Sequence, residues 1–205
     1  MIGIKADILT KYGTLCNEGF STDYAGSFVF VNVARSEPIS KYGQAWAQTG
    51  YCFWRSEGSS TKYYSTYAEV CNGDTANWDF YTIYDPELTI HTYECKLDVS
   101  TGVWHFHKDN VEEFVNSSFI QIPAYWAGTT AIRAHWQAEI HNQEDDMVGT
   151  YSSRCIISNC QYDNGTGYIH CEYVPSDLVD SDNRNEWQIE RLDSNVIEIW
   201  DVNPN

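Results

Sequence analysis

The chain has 205 residues without a break in composition, and 29 acidic against 12 basic side chains give it a formal net charge of −17. A charge of this sign repels nucleic acid and anionic membranes, which argues against both as partners. Its 8 Trp, 15 Tyr and 8 Phe favour half-buried pleated surfaces, so we expect one all-β domain.

Strand patterns recur from residue 26 onwards, with turn signals between them. The segments with strand character in the first half of the chain are residues 26–33, 45–51, 63–70, 88–99 and 103–107. Gly102 is suited to the left-handed position of a bulged hairpin between the last two segments. Residues 110–113 then have the composition of a short helix start.

The second half of the chain continues this pattern. Residues 134–141 form a further predicted strand, Asn164-Gly165 is the strongest two-residue turn signal, and residues 192–196 link the segments 187–190 and 197–200. About ten to twelve strands result, and two packed antiparallel sheets are the expected solution.

These strands define the domain boundaries that we expect. A single antiparallel β-sandwich domain is placed at residues 28–205. Residues 1–27 are interpreted as an N-terminal extension that could add an edge strand.

A strand alternates its side chains between two faces, so residues two positions apart lie together. The polar and aromatic residues that three predicted strands place on one face are Trp46, Gln48, Tyr67, Glu69, His135, Gln137, Glu139 and His141. We expect these side chains to line a concave outer face, on which an extended substrate could lie.

Three segments carry a resemblance through their order and spacing. They are Gln48-Thr49-Gly50, the segment from Tyr64 to Glu69 and the segment from Ala134 to Glu139. They resemble strands of the eqolisins, fungal acid peptidases of the glutamic type, and the similarity spans roughly residues 28 to 175. The resemblance implies a concanavalin-like double sheet, or jelly roll. The family's Trp-Val-Gly stretch corresponds here to residues 28–33, which contain no Trp.

The resemblance implies an endopeptidase with Gln48 and Glu139 as its catalytic dyad. A carboxylate on a partly desolvated sheet face takes a proton from the attacking water, while a glutamine amide donates to the developing oxyanion. Glu69 is a secondary candidate, either as a neighbour of the dyad or as a cross-strand pairing residue. Such an enzyme would act on polypeptides under acid conditions without a cofactor.

Two other classes of function fit the same face. Concave double sheets also bind polysaccharides by stacking aromatic rings on sugars, and Tyr63, Tyr64 and Tyr67 are suited to this. Alternatively, a sandwich that adds a terminal strand to its neighbour would self-associate into a surface layer or fibre. His105 and His107 share a face, as do His135, Glu139 and His141. Same-face neighbours on one strand lie about 7 Å apart, which is long for joint ligation unless a second strand contributes, so we expect no metal site.

Cysteines and sequons indicate the compartment. Seven cysteines without a Cys-x-x-Cys pair predict more than one disulfide, and the cluster Cys155, Cys160 and Cys171 is expected to contribute a bridge. Asn116 and Asn164 begin glycosylation sequons. No apolar run is long enough for a membrane helix, and we expect an extracellular or cell-surface protein.

Overall fold

A computed structural model describes the chain at residues 2–9, 11, 24–35, 45–56, 59, 61–71, 76–83, 89–116, 132–140, 148–172 and 187–202. These residues form fourteen strands in two sheets. None of them belongs to a helix long and apolar enough to cross a membrane.

The strands are β1 (Gly3–Leu9), β2 (Tyr24–Arg35), β3 (Ala45–Ser56), β4 (Tyr63–Cys71), β5 (Ala76–Ile83), β6 (Ile90–Asp98), β7 (Val103–Lys108), β8 (Val111–Asn116), β9 (Ile132–Ile140), β10 (Gly149–Thr150), β11 (Ser153–Asp163), β12 (Tyr168–His170), β13 (Trp187–Asp193) and β14 (Val196–Asp201). The small sheet has the order β5-β4-β3-β2-β9. The large sheet has the order β13-β14-β10-β11-β1-β6-β7-β8, with β12 beside β11.

Both sheets are built from antiparallel neighbours, and only the short contact between β10 and β14 is parallel among the described pairs. The antiparallel two-sheet sandwich expected from the sequence is therefore confirmed.

The main core lies between the two sheets because alternate residues of the facing strands are apolar. Fully buried side chains of β1 and β2 in this core are Ile4, Ala6, Ile8, Val29, Val31 and Val33. Removing such apolar surface from water stabilises the fold by about 25 cal/mol per Å². The core therefore fixes which face of each strand is left to form a site.

The N-terminal strand lies inside the large sheet. β1 pairs with β11 on one side and with β6 on the other. The sequence suggested that residues 1–27 form an extension that could add an edge strand. β1 is instead an interior strand, because its alternating Ile and Ala side chains complete the core. β2 also begins at Tyr24, before the expected domain boundary at residue 28.

The turns on either side of β7 test two predictions from the sequence, of which one is correct and one is wrong. Gly102 has a φ of 75°, and its N–H donates to the Asp98 carbonyl at 2.7 Å, as a bulged hairpin requires. The prediction of a short helix start at residues 110–113 is wrong. Asp109 and Asn110 have φ values of 52° and 65°, which these residues tolerate in tight turns, and the chain enters β8 directly.

The cysteines differ from the sequence prediction. No disulfide joins any of the six described cysteines, so the bridge expected within Cys155, Cys160 and Cys171 is absent, and Cys16 lies outside the described residues. Cys155 is buried in the core, where its S–H donates to the Leu9 carbonyl at 3.3 Å. The number of cysteines alone therefore does not show whether they form disulfides or serve as small apolar core residues.

Candidate functional site

Four polar side chains form a line across the outer face of the small sheet. The pairing register places Glu69 opposite Gln48, Gln48 opposite Asn32, and Asn32 opposite His135. Adjacent strands lie about 4.8 Å apart, so this line crosses four strands over about 14 Å. We call Glu69, Gln48, Asn32 and His135 the polar row.

Hydrogen bonds connect the first three members of the polar row. Asn32 Nδ2 donates to Gln48 Oε1 at 2.6 Å, and Gln48 Nε2 donates to Glu69 Oε2 at 2.6 Å. A carboxylate only accepts, so Glu69 requires the Gln48 amide to present nitrogen on its side and oxygen to Asn32. Gln48 and Asn32 are only 7% and 6% exposed, so this orientation is held inside the protein.

Glu69 lies at the carboxylate end of the polar row and is half-buried. Loss of hydration raises its pKa above the ordinary value, while hydrogen bonds from the Trp46 and Gln48 side chains oppose that shift. The row therefore ends in an acid that is poised closer to neutral pH than a free glutamate.

Glu139 lies on the same face but outside the polar row. On β9 it is four residues beyond His135, opposite Phe28. Its side chain keeps contact with solvent, yet the surrounding protein removes enough water to raise its pKa to about 7, and the charge of Glu69 adds to this shift. Solvent screening limits the energy that corresponds to the shift, so its direction is what matters for chemistry.

The separation between Gln48 and Glu139 follows from the register. Two strand spacings and four residues along a strand correspond to about 16 Å between their Cα atoms in a flat sheet. The Gln48 amide is also directed along the row, toward Asn32 and Glu69, rather than along the strand. The register does not isolate the two groups electrostatically, because the charge of Glu69, which is hydrogen-bonded to Gln48, still raises the pKa of Glu139.

An apolar cluster separates Glu139 from the polar row. Its buried members are Phe28, Phe30, Cys52 and Tyr67, with Trp54 packed against them. The Tyr67 ring meets the Phe28 and Phe30 rings edge-on at centroid distances of 5.2 and 5.9 Å. The four buried side chains of this cluster are thus as inaccessible as those of the main core, which strengthens electrostatic interactions beside them.

Gly50 allows this packing. A Cβ atom at this position would lie 2.1 Å from the Val29 carbonyl oxygen and 2.6 Å from the Phe30 Cα. Only glycine therefore lets β3 approach β2 this closely, two residues after Gln48.

The remaining predicted site residues are Trp46, Gln137 and His141, and the site also contains one residue that the sequence did not predict. Gln137 lies opposite Phe30 on the site face, and Trp46 lies opposite Cys71, which is two residues along β4 from Glu69. His141 falls outside the described residues. Asn32 was not selected from the sequence, although it is the polar residue among the outward positions 28, 30 and 32 of β2, and that interruption was the available signal.

The predicted modification and metal residues lie away from this face. Asn164 is exposed at the β11–β12 turn, where its Oδ1 accepts from the Thr166 N–H at 3.0 Å, and Asn116 ends β8. His105 Nδ1 lies 2.6 Å from Glu112 Oε2 on the large sheet. Among the described residues no group of three or more His, Cys, Asp and Glu side chains is arranged to hold a metal ion.

Comparison with known proteins finds similarity at the level of the fold. No protein-family model and no curated protein sequence matches this chain. Among solved structures, Scytalido-glutamic peptidase with a peptide based transition state analog matches with a TM-score of 0.52 and 12% identity, over 98% of this chain and 92% of that chain. The fold resembles that of a glutamic peptidase. At this identity the likeness shows the architecture alone, and it agrees with the remote similarity implied by the three sequence segments.

Proposed function

We propose that this protein hydrolyses peptide bonds in extended polypeptide segments bound across the outer face of the small sheet. Gln48 is the donor to the oxyanion, and a β9 side chain accepts the proton of the attacking water. The sequence resemblance implies Glu139 for the second role, and that assignment stays a prediction.

The fixed amide of Gln48 is the observation that carries this proposal. Its Nε2 atom bears two hydrogens, and Glu69 accepts one of them at 2.6 Å. The second hydrogen takes part in neither of the two hydrogen bonds of the Gln48 side chain, and we assign it to an oxygen atom of the substrate. Because the amide is held at both ends before substrate arrives, it can stabilise a developing negative charge without reorganising.

The titrating groups of the face support hydrolysis. Desolvation raises the pKa of Glu139 to about 7 and also raises that of Glu69, so both groups can change protonation state nearer to neutral pH than ordinary carboxylates. Acid–base groups with such pKa values are suited to moving protons between water and a leaving amine. We therefore expect activity to extend toward neutral pH, and not to be confined to strong acid.

The first test is cleavage of a reduced, unfolded polypeptide between pH 3 and pH 8, compared for wild type and Gln48→Met. Loss of one oxyanion donor lowers kcat by about 10² to 10³. Gln188→Leu provides a matched control, because Gln188 lies on β13 of the other sheet. Equal cleavage by wild type and Gln48→Met, with both variants folded, would remove Gln48 from the chemistry.

A second candidate function is polysaccharide binding, which one contact favours. On the site face the Trp54 and Tyr63 rings stack at 4.9 Å with an interplanar angle of 27°, and Trp54 Nε1 donates to Ser65 Oγ at 2.9 Å. Such aromatic platforms stack on sugar rings. Retention on a polysaccharide column that is lost in Trp54→Ala, without any peptide cleavage by wild type, would favour this function.

A further inference from the structure

We infer that Glu69 in its protonated form is a positioning residue of the proposed hydrolysis, because its proton reverses the polar row and turns the Gln48 nitrogen toward β9. This inference rests on the proposed function and deepens it by naming the group that orients the oxyanion donor. Glu139 keeps the role of proton acceptor that the sequence resemblance implies.

The polar row can run in two directions. With Glu69 ionised, Asn32 Nδ2 donates to Gln48 Oε1 and Gln48 Nε2 donates to Glu69 Oε2, both at 2.6 Å. A side-chain amide has an acceptor at one end and a donor at the other, so a half-turn of its plane exchanges them. When both amides turn, each hydrogen bond joins the same two side chains but runs in the opposite direction.

An unpaired acceptor shows that the ionised direction leaves the row incomplete. Asn32 Oδ1 is buried and has no hydrogen-bond partner among the described residues. Such an atom has lost its hydration without gaining a protein donor, which is unfavourable. In the opposite direction Oδ1 faces Gln48 and accepts from its Nε2 atom. The reversed row therefore satisfies a buried group that the ionised row does not.

The proton of Glu69 decides between the two directions. An ionised carboxylate only accepts, so it holds the Gln48 nitrogen on its own side. Once protonated, the carboxyl group can donate its O–H to Gln48 Oε1, and the nitrogen is released toward Asn32. The Trp46 side chain also hydrogen-bonds to Glu69, and this bond can persist because a protonated carboxyl group keeps an acceptor oxygen.

The other end of the reversed row meets an acceptor on β9. Turning Asn32 directs its Nδ2 atom away from Gln48 and toward His135, which is directly opposite in the register. Directly opposed residues have Cβ atoms about 4.5 to 5.5 Å apart, within reach of a side-chain hydrogen bond. Burial lowers the pKa of His135, and the charge of Arg133 lowers it further, so the ring keeps a nitrogen lone pair at lower pH than an ordinary histidine.

Reversal makes Gln48 a better oxyanion donor. The strand order is β4-β3-β2-β9, so the turned Nε2 atom faces the side of the sheet on which Glu139 lies. An ionised Glu69 beside the amide opposes a second negative charge on a substrate oxygen, whereas a neutral carboxyl group that donates to Oε1 polarises the amide. Asn32 takes only one of the two Nε2 hydrogens, so the other is left for the substrate.

Glu69 and Glu139 then act as a pair that works when it holds one proton. Desolvation raises the pKa of both carboxyl groups, and the charge of Glu69 adds to the shift of Glu139. Coupled groups lose their protons in two steps that belong to the pair. Hydrolysis needs the proton on Glu69 and an ionised Glu139, so its rate falls at low pH, where both are protonated, and at high pH, where both are ionised.

The other groups around Glu69 leave Glu139 as its charged partner on this face. Directly opposite Glu69, β3 has Gln48 and β5 has Trp78, and neither side chain titrates. Among the described residues, the remaining titratable side chains that the register places around it are Tyr67 and Cys71 on its own strand and His135 on β9.

Scalar coupling across hydrogen bonds tests the reversal without an assay of activity. In isotope-labelled wild type, Gln48 Nε2 should couple to the Glu69 carboxyl carbon on the alkaline side of the Glu69 titration, and to the Asn32 amide carbon on the acid side. Asn32→Leu removes the second acceptor, so the acid-side coupling should vanish in that variant. Coupling to Glu69 that persists after Glu69 is protonated would overturn the inference.

The pH profile of kcat tests the role of Glu69 in hydrolysis. Glu69→Gln supplies a neutral donor to Gln48 Oε1 at every pH, so the variant should keep kcat near the wild-type maximum up to pH 9. Wild type should lose about tenfold per pH unit above the upper step of the pair. Glu69→Leu offers no donor and should lower kcat with little change in KM, by up to the factor of about 10² to 10³ that loss of an oxyanion donor costs.

Glu113→Gln is the matched control, because Glu113 is exposed on β8 of the other sheet, and it should show the wild-type profile. A wild-type profile in Glu69→Gln, or wild-type kcat in a folded Glu69→Leu variant, would overturn the inference. Cleavage by wild type without a reversed coupling would overturn it alone. Absence of any cleavage by wild type would instead overturn the proposed function, and with it the role of Glu69, so the two failures are distinguishable.

Discussion

At the residue scale, two glutamates on one sheet face acquire different properties from different surroundings. Glu69 is tied to Gln48 by a hydrogen bond and is half-buried, whereas Glu139 has solvent contact and lies beside buried aromatic rings. Desolvation raises the pKa of both carboxyl groups. Sequence alternation correctly assigned both residues to one face, but it could not reveal which neighbours remove water from each carboxylate.

Glu139 gives a prediction for stability against pH. Its pKa rises from about 4.5 in the unfolded chain to about 7 in the fold, so between these values the folded state holds a proton that the unfolded state has released. The free energy of unfolding therefore falls as pH rises through this window. Glu139→Gln removes this effect, and its Tm should exceed that of wild type by more at pH 8 than at pH 4.

The matched control for this measurement is Glu113→Gln, because Glu113 is exposed on β8 of the other sheet. Its Tm difference from wild type should stay the same at both pH values. A Glu139→Gln difference that is equally constant would show that the folded state does not hold the proton.

At the element scale, the site depends on how closely β2 and β3 approach. Their twelve paired positions run from Tyr24 opposite Ser56 to Arg35 opposite Ala45, without a register shift. This continuous pairing places Asn32 beside Gln48. The sequence predicted both strands, but their relative register depends on contacts over long sequence separations, and so the Asn32 to Gln48 hydrogen bond was not foreseeable.

Gly50 gives a prediction for this element pair. Gly50→Ala forces a methyl group against the backbone of β2 and should lower the free energy of unfolding by about 1 to 3 kcal/mol, as overpacking does. Urea unfolding measures this directly. Gly26→Ala is the control, because its new methyl group would meet first the edge of the Phe28 ring, 2.9 Å away, which can shift more easily than backbone. Equal losses in the two variants would contradict the close approach at Gly50.

Local signals succeeded where a short-range rule decides the structure. The bulged hairpin at Gly102 follows from the chemistry of one turn, and strand alternation located β2, β3, β4 and β9. They failed at residues 110–113, whose helix-start composition begins in the turn formed by Asp109 and Asn110. The interior position of β1 was also missed, because sheet order depends on tertiary pairing.

At the scale of the whole molecule, the cysteines behave as core residues. Cys52, Cys95, Cys155 and Cys160 are fully buried, and burial raises the pKa of each thiol, to about 12 for Cys155 and Cys160. A buried, protonated thiol is a poor nucleophile. These four cysteines therefore act as small apolar core residues.

Alkylation gives the corresponding prediction. In the folded protein iodoacetamide should leave these four thiols unlabelled, since the reagent needs an accessible thiolate, and should reach the half-buried Cys171 first. In urea without reductant all of them should label, as measured by peptide mass spectrometry. Protection that persists in urea and disappears only with reductant would indicate the disulfides that the sequence predicts.

The central claim is that the outer face of the small sheet hydrolyses peptide bonds around Gln48. The most direct measurement is cleavage of an unfolded polypeptide in water enriched in heavy oxygen, followed by mass spectrometry of the products. The account predicts new carboxyl termini that carry heavy oxygen with wild type, and their near-complete loss in Gln48→Met. Intact polypeptide after incubation with wild type, or equal labelled cleavage by wild type and a folded Gln48→Met variant, would contradict it.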